Sequence, residues 1–254
     1  MSHNVEHCPA KRYGSWLHRK RFRIGVDIGG TFTDFTFLDS ESGAVVIDKQ
    51  LTTPRQPDLA VLGGVDKALT REPALLEHTA AVSHATTLAT NVVLERKGAC
   101  TGLLATHGFS DLLEIAREVR YDVYDLFIRS PEPLVPRSRR IGVRERIYSD
   151  GRVLVPLSED DVRAAAAIFR DAGVEAVAIA FLHAYCNPAH ELQAARILAE
   201  ELPGIALSLS HQVHPQPKEY ERTSTTVADA YVKPSVAHYL GRLEGGAESA
   251  RLSP

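Results

Sequence analysis

The chain has 254 residues, a formal net charge of −3, 24% charged residues and 44% apolar residues. These are the proportions of a folded globular protein; they exclude a charge-rich disordered chain and give no basic footprint for nucleic acid or an anionic membrane. A chain of this length buries roughly 70% of its unfolded surface without staples, and its three cysteines, Cys8, Cys100 and Cys186, are odd in number and far apart, which fits a reducing, cytoplasmic compartment.

Residues 1–21 are basic and polar, lack the apolar segment of a signal peptide, and read as a disordered leader. Folding signals begin at Phe22. Phe22, Ile24, Val26 and Ile28 alternate as in a strand, Gly29-Gly30 interrupts, and Phe32–Leu38 is a second strand. A turn at Ser40–Gly43 leads into a third strand, Ala44–Leu51, so the chain opens with three antiparallel strands. A helix is predicted over Leu59–Leu69, a short strand over Ala80–Ser83, a helix over Thr87–Arg96 stopped by Lys97-Gly98, a buried strand over Cys100–Ala105 and a helix over Phe109–Glu118. Tyr121–Arg140, with Pro131, Pro133 and Pro136, reads as an extended connection.

Arg144–Tyr148 and Val153–Val155 flank Ser149-Asp150-Gly151, a hairpin signal. Ser158–Asp161 opens an Ala-rich helix ending near Gly173. Val174–Leu182 is a continuous apolar strand of the buried parallel kind. Asn187-Pro188 opens a helix to Leu202, Ile205–Leu209 is a strand, and Glu219–Leu243 is a long helix with a bend expected at Pro234 and a frayed tail from Glu244. The longest uncharged run, Ala176–His190, is broken by His183, Asn187 and Pro188, and no stretch has the apolar length of a membrane span.

Chemistry concentrates in Asp27-Ile28-Gly29-Gly30-Thr31-Phe32-Thr33-Asp34. A bare Gly-Gly turn needs no ligand. The full spacing points instead to a phosphate site, because glycine permits positive φ and close backbone approach, so that N–H groups converge on an anion. Thr31 and Thr33 add hydroxyls, and Asp27, placed at the end of a buried strand, calls for a cationic partner such as hydrated Mg²⁺. The segment has neither Walker nor dinucleotide-turn spacing. His84-Ala85-Thr86-Thr87 opens a helix, with Thr86 as a cap and His84 as an acid/base candidate, although capping alone accounts for both threonines. Glu221 and Arg222 read either as a structural ion pair or as cleft residues. His211 and His214 lack a carboxylate to complete a metal set and read as a solvated loop. Arg137, Arg139, Arg140, Arg144, Glu145 and Arg146 read as a solvated edge, and Cys100 and Cys186 as inert core thiols.

The glycine segment resembles the first phosphate-binding hairpin of the actin, sugar-kinase and heat-shock ATPase superfamily. More narrowly, Val82–Asn91, Leu94–Ala99, Gly108–Ile115, Tyr124–Phe127, Pro131–Val135 and Tyr220–Thr226 are similar to the N-terminal region of the hydantoinase/oxoprolinase family, over Arg23 to about Leu243. Ala85 stands where the family has glycine. The resemblance implies an α/β fold with an actin-like, ribonuclease H-like lobe over 22–142, a second α/β portion over 143–210 and the start of a following domain over 211–254. It also implies ATP-dependent opening of a cyclic amide, such as a hydantoin or 5-oxoproline, through phosphorylation of the amide oxygen.

In the same reading, Asp27 organises Mg²⁺ through water and, with His84, is catalytic. Gly29, Gly30, Thr31, Thr33 and Asp34 hold or brace the phosphate site, and Thr86, Thr87, Asn91, Glu221 and Arg222 face the substrate. The single glycine hairpin implies a fragment or half of a split subunit, completed by a C-terminal portion or a second subunit. A small-molecule kinase of the same superfamily and an inactive, partner-binding fragment are the alternatives.

Overall fold

The computed structural model describes residues 21–53, 57–73, 75–117, 122, 124–127 and 131–252. The expected leader at 1–21 therefore lies outside them except for Arg21, as does part of the connection after Tyr121. The chain divides into two compact units: residues 1–88 with 242–254, and residues 89–241. The expected boundary at 142/143 is not where the chain divides, because the strands on either side of it share one sheet.

In the first unit, β1 (Phe22–Ile28), β2 (Phe32–Asp39), β3 (Val45–Leu51) and β4 (Thr79–Thr86) form a sheet in the order β3-β2-β1-β4. The first three are antiparallel, as expected, and β4 runs parallel to β1. Alternation does its work here: Ile24, Val26 and Ile28 are buried with Phe35, while Arg23 and Asp27 on the opposite face are exposed. Helix α1 (Pro57–Arg71) packs against β2 and β3. Gly64 permits that approach, since a Cβ there would lie 2.1 Å from the Phe35 ring. Asp39 closes the β2–β3 turn. It receives two bonds from the Arg21 guanidinium, at 2.8 and 2.6 Å, and one from Ser42 Oγ at 2.6 Å. Those donors hold its carboxyl well below the usual range. Both edge strands are open: Val45, Val46, Ile47 and Leu51 of β3 and Val82 of β4 expose half or more of their surface.

The second unit is built on a parallel sheet of β5 (Thr101–Thr106), β6 (Arg140–Val143), β9 (Ala176–Ala180) and β10 (Ala206–Leu209), in the order β10-β9-β5-β6. All five residues of β9 are buried, as a continuous apolar run between two layers requires. Leu104, Val177 and Ile179 pack with Val162, Ala166 and Phe169 of α4 (Glu159–Asp171) and Ala194, Ile197 and Leu198 of α5 (Ala189–Glu201). Leu103, Ala105, Ala178 and Ala180 pack in a second cluster with Val227 and Ala230 of α7 (Glu219–Leu252). The short helices α2 (Leu88–Leu94), α3 (Leu112–Ile115) and α6 (Ser210–Val213) complete the set, and the hairpin of β7 (Arg146–Ile147) and β8 (Val153–Val155) turns at Gly151 with φ of 85°. Helix α3 is shorter than expected, and α7 continues through Pro234 to Leu252, past the expected end at Leu243. Among the described residues, no helix is long and apolar enough to cross a membrane.

Ser158 caps α4, its Oγ accepting from the Asp161 N–H at 3.3 Å. Asp161 in turn binds the Arg144 guanidinium twice, at 2.7 and 2.6 Å, and this holds the Asp161 carboxyl below its ordinary range. A depressed carboxyl stabilises the fold fully above the unfolded value, about pH 4, and ceases to as pH falls below it. Arg144 is mostly solvent-exposed, so solvent screening keeps the contribution small. Asp161→Asn is expected to flatten the acid limb of the stability–pH profile, read as urea midpoints between pH 6 and 3; parallel acid limbs for the two proteins would contradict this.

Candidate phosphate site at the β1–β2 turn

The predicted site residues fall into two groups. Asp27, Gly29, Gly30, Thr31, Thr33, Asp34, His84, Thr86 and Thr87 belong to the first unit, whereas Asn91, Glu221 and Arg222 belong to the second.

In the first group, the β1–β2 ladder ends at the pair Ile28–Thr33, and the chain reverses over Gly29–Phe32. The Gly29 N–H closes this turn by donating to the Phe32 carbonyl at 2.9 Å. Gly29 is required for space rather than handedness: its φ is not in the left-handed range, and a Cβ would lie 3.2 Å from the Phe32 oxygen. Its amide is spent inside the turn, which removes it from the donors expected to meet a phosphate. Gly30 and Thr31 are exposed, and among the described residues their N–H groups have no partner. Thr33 also departs from expectation. It is fully buried, and its hydroxyl pairs with Thr52 Oγ1 at 2.9 Å, so it supports the turn from beneath. Thr52, just past β3, is the residue that sequence reasoning missed. Its N–H donates to the Thr31 carbonyl at 2.9 Å and its hydroxyl to the Gly29 carbonyl at 3.0 Å.

Asp27 is exposed, not buried as its strand position suggested, because it sits on the outward face of β1. It stands directly opposite Asp34 across the antiparallel pair. Two like charges in that position repel. Lys49 of β3 compensates Asp34, with Nζ 3.1 Å from its carboxylate. The Asp27 carboxylate has no hydrogen bond or ion pair among the described residues. On its other side, Asp27 is in register with Ala85 of β4. Ala85 is ordinary extended strand, so the methyl group that replaces the family glycine meets no left-handed backbone requirement.

His84 is exposed at the register position of Val26. Thr86 Oγ1 accepts from the Leu88 N–H at 3.1 Å, a local turn leading from β4 into α2; the residue at the cap position of α2 is Thr87. The Thr87 N–H reaches the Ile28 carbonyl at 3.3 Å, tying the end of β4 to the start of the glycine turn. The residues present thus offer exposed N–H groups and a threonine hydroxyl on the turn and an uncompensated carboxylate on the adjoining strand, a donor set suited to a magnesium–phosphate group. Among the described residues, no cluster of three or more His, Cys, Asp or Glu side chains forms a protein-only metal cage. Mg²⁺ characteristically takes one or two carboxylates and completes its shell with water and phosphate.

In the second unit, Asn91 lies on α2, half-buried. The expected Glu221–Arg222 pair does not form, since the two side chains take different partners: Glu221 is bridged by Arg117, and Arg222 lies near Glu219 at 3.7 Å. Arg222 is 1% exposed and its guanidinium donates to Ser210 Oγ, the Gln216 carbonyl and the Phe181 carbonyl, at 3.2, 3.2 and 3.0 Å. Its plane stacks 5.2 Å over the Tyr185 ring, whose hydroxyl burial pushes above its ordinary range. Ser210 and His211 both bond to the fully buried Glu191, at 2.6 Å each. His211 is therefore anchored to a carboxylate rather than solvated.

The basic cluster is only in part a solvated edge: Arg137 and Arg144 are exposed, but other members are not. Arg140 is 2% exposed and donates to the Val135 carbonyl, while Glu145 is buried between Thr106 and His190. Cys186 is exposed, and Cys100 is half-buried against the Arg139 guanidinium, so neither is a core thiol.

Residues 23–202 match the hydantoinase/oxoprolinase N-terminal region. The chain belongs to this family. It is 38% identical to caprolactamase subunit alpha of Pseudomonas jessenii over 234 residues, which is 90% of this chain and 34% of the relative. Among solved structures, the ATP-dependent caprolactamase of the same organism superposes with a TM-score of 0.80 at 38% identity, over 90% of this chain and 34% of that one. The nucleotide-free structure of acetone carboxylase superposes with a TM-score of 0.82 at 29% identity, over 91% of this chain and 35% of that one. The chain spans about a third of the length of these relatives.

Removing the Arg222 guanidinium leaves the buried Ser210 hydroxyl and Phe181 carbonyl without their donor. Arg222→Met is expected to destabilise the second unit by about 3–5 kcal/mol, read by thermal and urea unfolding; an unchanged unfolding midpoint would contradict the scaffold role.

Proposed function

We propose that the chain supplies the phosphate-binding part of a cytoplasmic, ATP-dependent enzyme that opens a cyclic amide of the hydantoin or 5-oxoproline type. The observation that carries the proposal is the exposed β1–β2 turn, where, among the described residues, the Gly30 and Thr31 N–H groups have no partner and the nearby Asp27 carboxylate has no compensating charge. The ATP dependence named for the caprolactamase relative supports it.

Gly30 and Thr31 bind the terminal phosphate oxygens through N–H groups and the Thr31 hydroxyl. Gly29 and Thr33 hold the shape of the turn, and Asp34, compensated by Lys49, keeps the hairpin rigid. Asp27 orients a magnesium-bound water; when bound, Mg²⁺ neutralises charge on the phosphates. His84, carried on β4 beside β1, is the acid/base group in this reading, with Thr86 and Thr87 on the substrate side. Such a clamp acts by positioning and charge stabilisation. Transfer of phosphate to the amide oxygen turns a poor electrophile into one that water attacks. The rest of the enzyme comes from further chain or from a partner subunit, in keeping with the subunit name of the caprolactamase relative. The acetone carboxylase relative favours a second reading in which a phosphorylated oxygen precedes carboxylation, and the same turn serves both.

Amide NMR of the chain titrated with MgATP tests the proposal. The Gly30 and Thr31 resonances are expected to shift with weak affinity, and Asp27→Ala is expected to abolish the dependence on Mg²⁺. No shift at either amide would overturn the site, and an unchanged Mg²⁺ dependence in the variant would overturn the role of Asp27. In the assembled enzyme, a ring-opened acid is the expected product, and a stable phosphorylated substrate would mark a kinase instead.

A further inference from the structure

We infer that Thr52 is a positioning residue that aims the Gly30 amide at the bound anion; the inference rests on the phosphate-site reading above. The geometry is that of a two-point tether. The Thr52 N–H holds the Thr31 carbonyl and the Thr52 hydroxyl holds the Gly29 carbonyl. A hydroxyl has one proton, and here it goes to the Gly29 oxygen. Thr52 Oγ1 must then accept from Thr33, so the 2.9 Å contact between the two threonines has a fixed direction, from Thr33 to Thr52 to Gly29. Thr33 is fully buried, which keeps water from competing for that chain.

The consequence follows from peptide planarity. The described peptide bonds are trans, and in a trans peptide the carbonyl of one residue and the N–H of the next point in opposite directions. Fixing the Gly29 carbonyl toward Thr52 therefore fixes the Gly30 N–H away from it, on the open side of the turn. Glycine at 29 and 30 leaves this peptide free to rotate unless something holds it. The tether comes from a residue 23 positions along the chain, and its side chain makes no contact with a ligand in this arrangement. Thr52 acts through the backbone of Gly29.

Two substitutions separate this role from simple packing. Thr52→Val keeps the branched shape and the backbone N–H but deletes the hydroxyl; Thr52→Ser keeps the hydroxyl and deletes the methyl. The first readout is the Gly30 amide in the ligand-free chain. Its chemical shift and temperature coefficient are expected to change in Thr52→Val and to return in Thr52→Ser. The second is titration with magnesium tripolyphosphate, followed at the same amide. Affinity is expected to fall about tenfold in Thr52→Val, the order of one hydrogen bond to a charged group, and to recover to within about twofold in Thr52→Ser.

A merely structural threonine would lower the unfolding midpoint without moving the Gly30 resonance, and that result overturns the inference. So does equal affinity in the wild type and Thr52→Val, or failure of Thr52→Ser to recover. If the wild-type chain shows no response to tripolyphosphate while the ligand-free Gly30 resonance follows the hydroxyl as expected, the phosphate reading fails and the tether stands as a backbone device.

Discussion

A backbone turn presents donors to a ligand only if its carbonyls are satisfied elsewhere, because an oxygen facing an anion repels it. At the β1–β2 turn this accounting closes on one side. Gly29, Thr31 and Phe32 each have a carbonyl committed within the protein, the first two to Thr52 and the third to the Gly29 amide. Among the described residues, the Gly30 and Thr31 amides and the Gly30 carbonyl are the backbone groups of the turn left without a partner. The open face of the turn is thus a product of its closed face, and the buried threonine pair beneath it sets the direction of the local dipoles.

Charge repeats this division of labour. The hairpin places Asp27 and Asp34 face to face, an arrangement that costs stability when both are ionised. One of the two is balanced internally by Lys49 and the other is left for solvent or a cation. In the second unit, the buried groups Glu191, Ser210, His211 and Arg222 are matched donor to acceptor, and Glu145 is held in the same way by Thr106 and His190.

The strands were legible because alternation is a local property: Ile24, Val26 and Ile28 announce their burial within seven residues, and the unbroken apolar run of β9 announces two covered faces. Ser158 and the Ser149-Asp150-Gly151 turn were legible for the same reason. The departures share a different cause. Asp27 was placed by strand position alone, whereas its face of the sheet decides its exposure. Glu145 read as part of a solvated edge because its partner His190 lies 45 residues on. Arg222 suggested a pair with its neighbour Glu221, but successive residues on a helix point apart. Strand β6 hid in an arginine-rich segment, and the unit boundary was invisible because β5 and β9 pair across a long interval. Thr52 carried no signal of its own, since a threonine after a strand is unremarkable until its partners at 29, 31 and 33 are known.

The two outer strands of the first sheet have a practical consequence. Strand β3 offers a seven-residue rim without proline, and its Val45, Val46, Ile47 and Leu51 are largely uncovered. Its charges, Asp48 and Lys49, are already matched to Lys67 and Asp34 and so supply little repulsion toward a newcomer. Such rims are templates for sheet extension between molecules. Handling this polypeptide at high concentration therefore works against its own colloidal stability, and a lysine or proline placed on the rim at Ile47 is the natural gatekeeper.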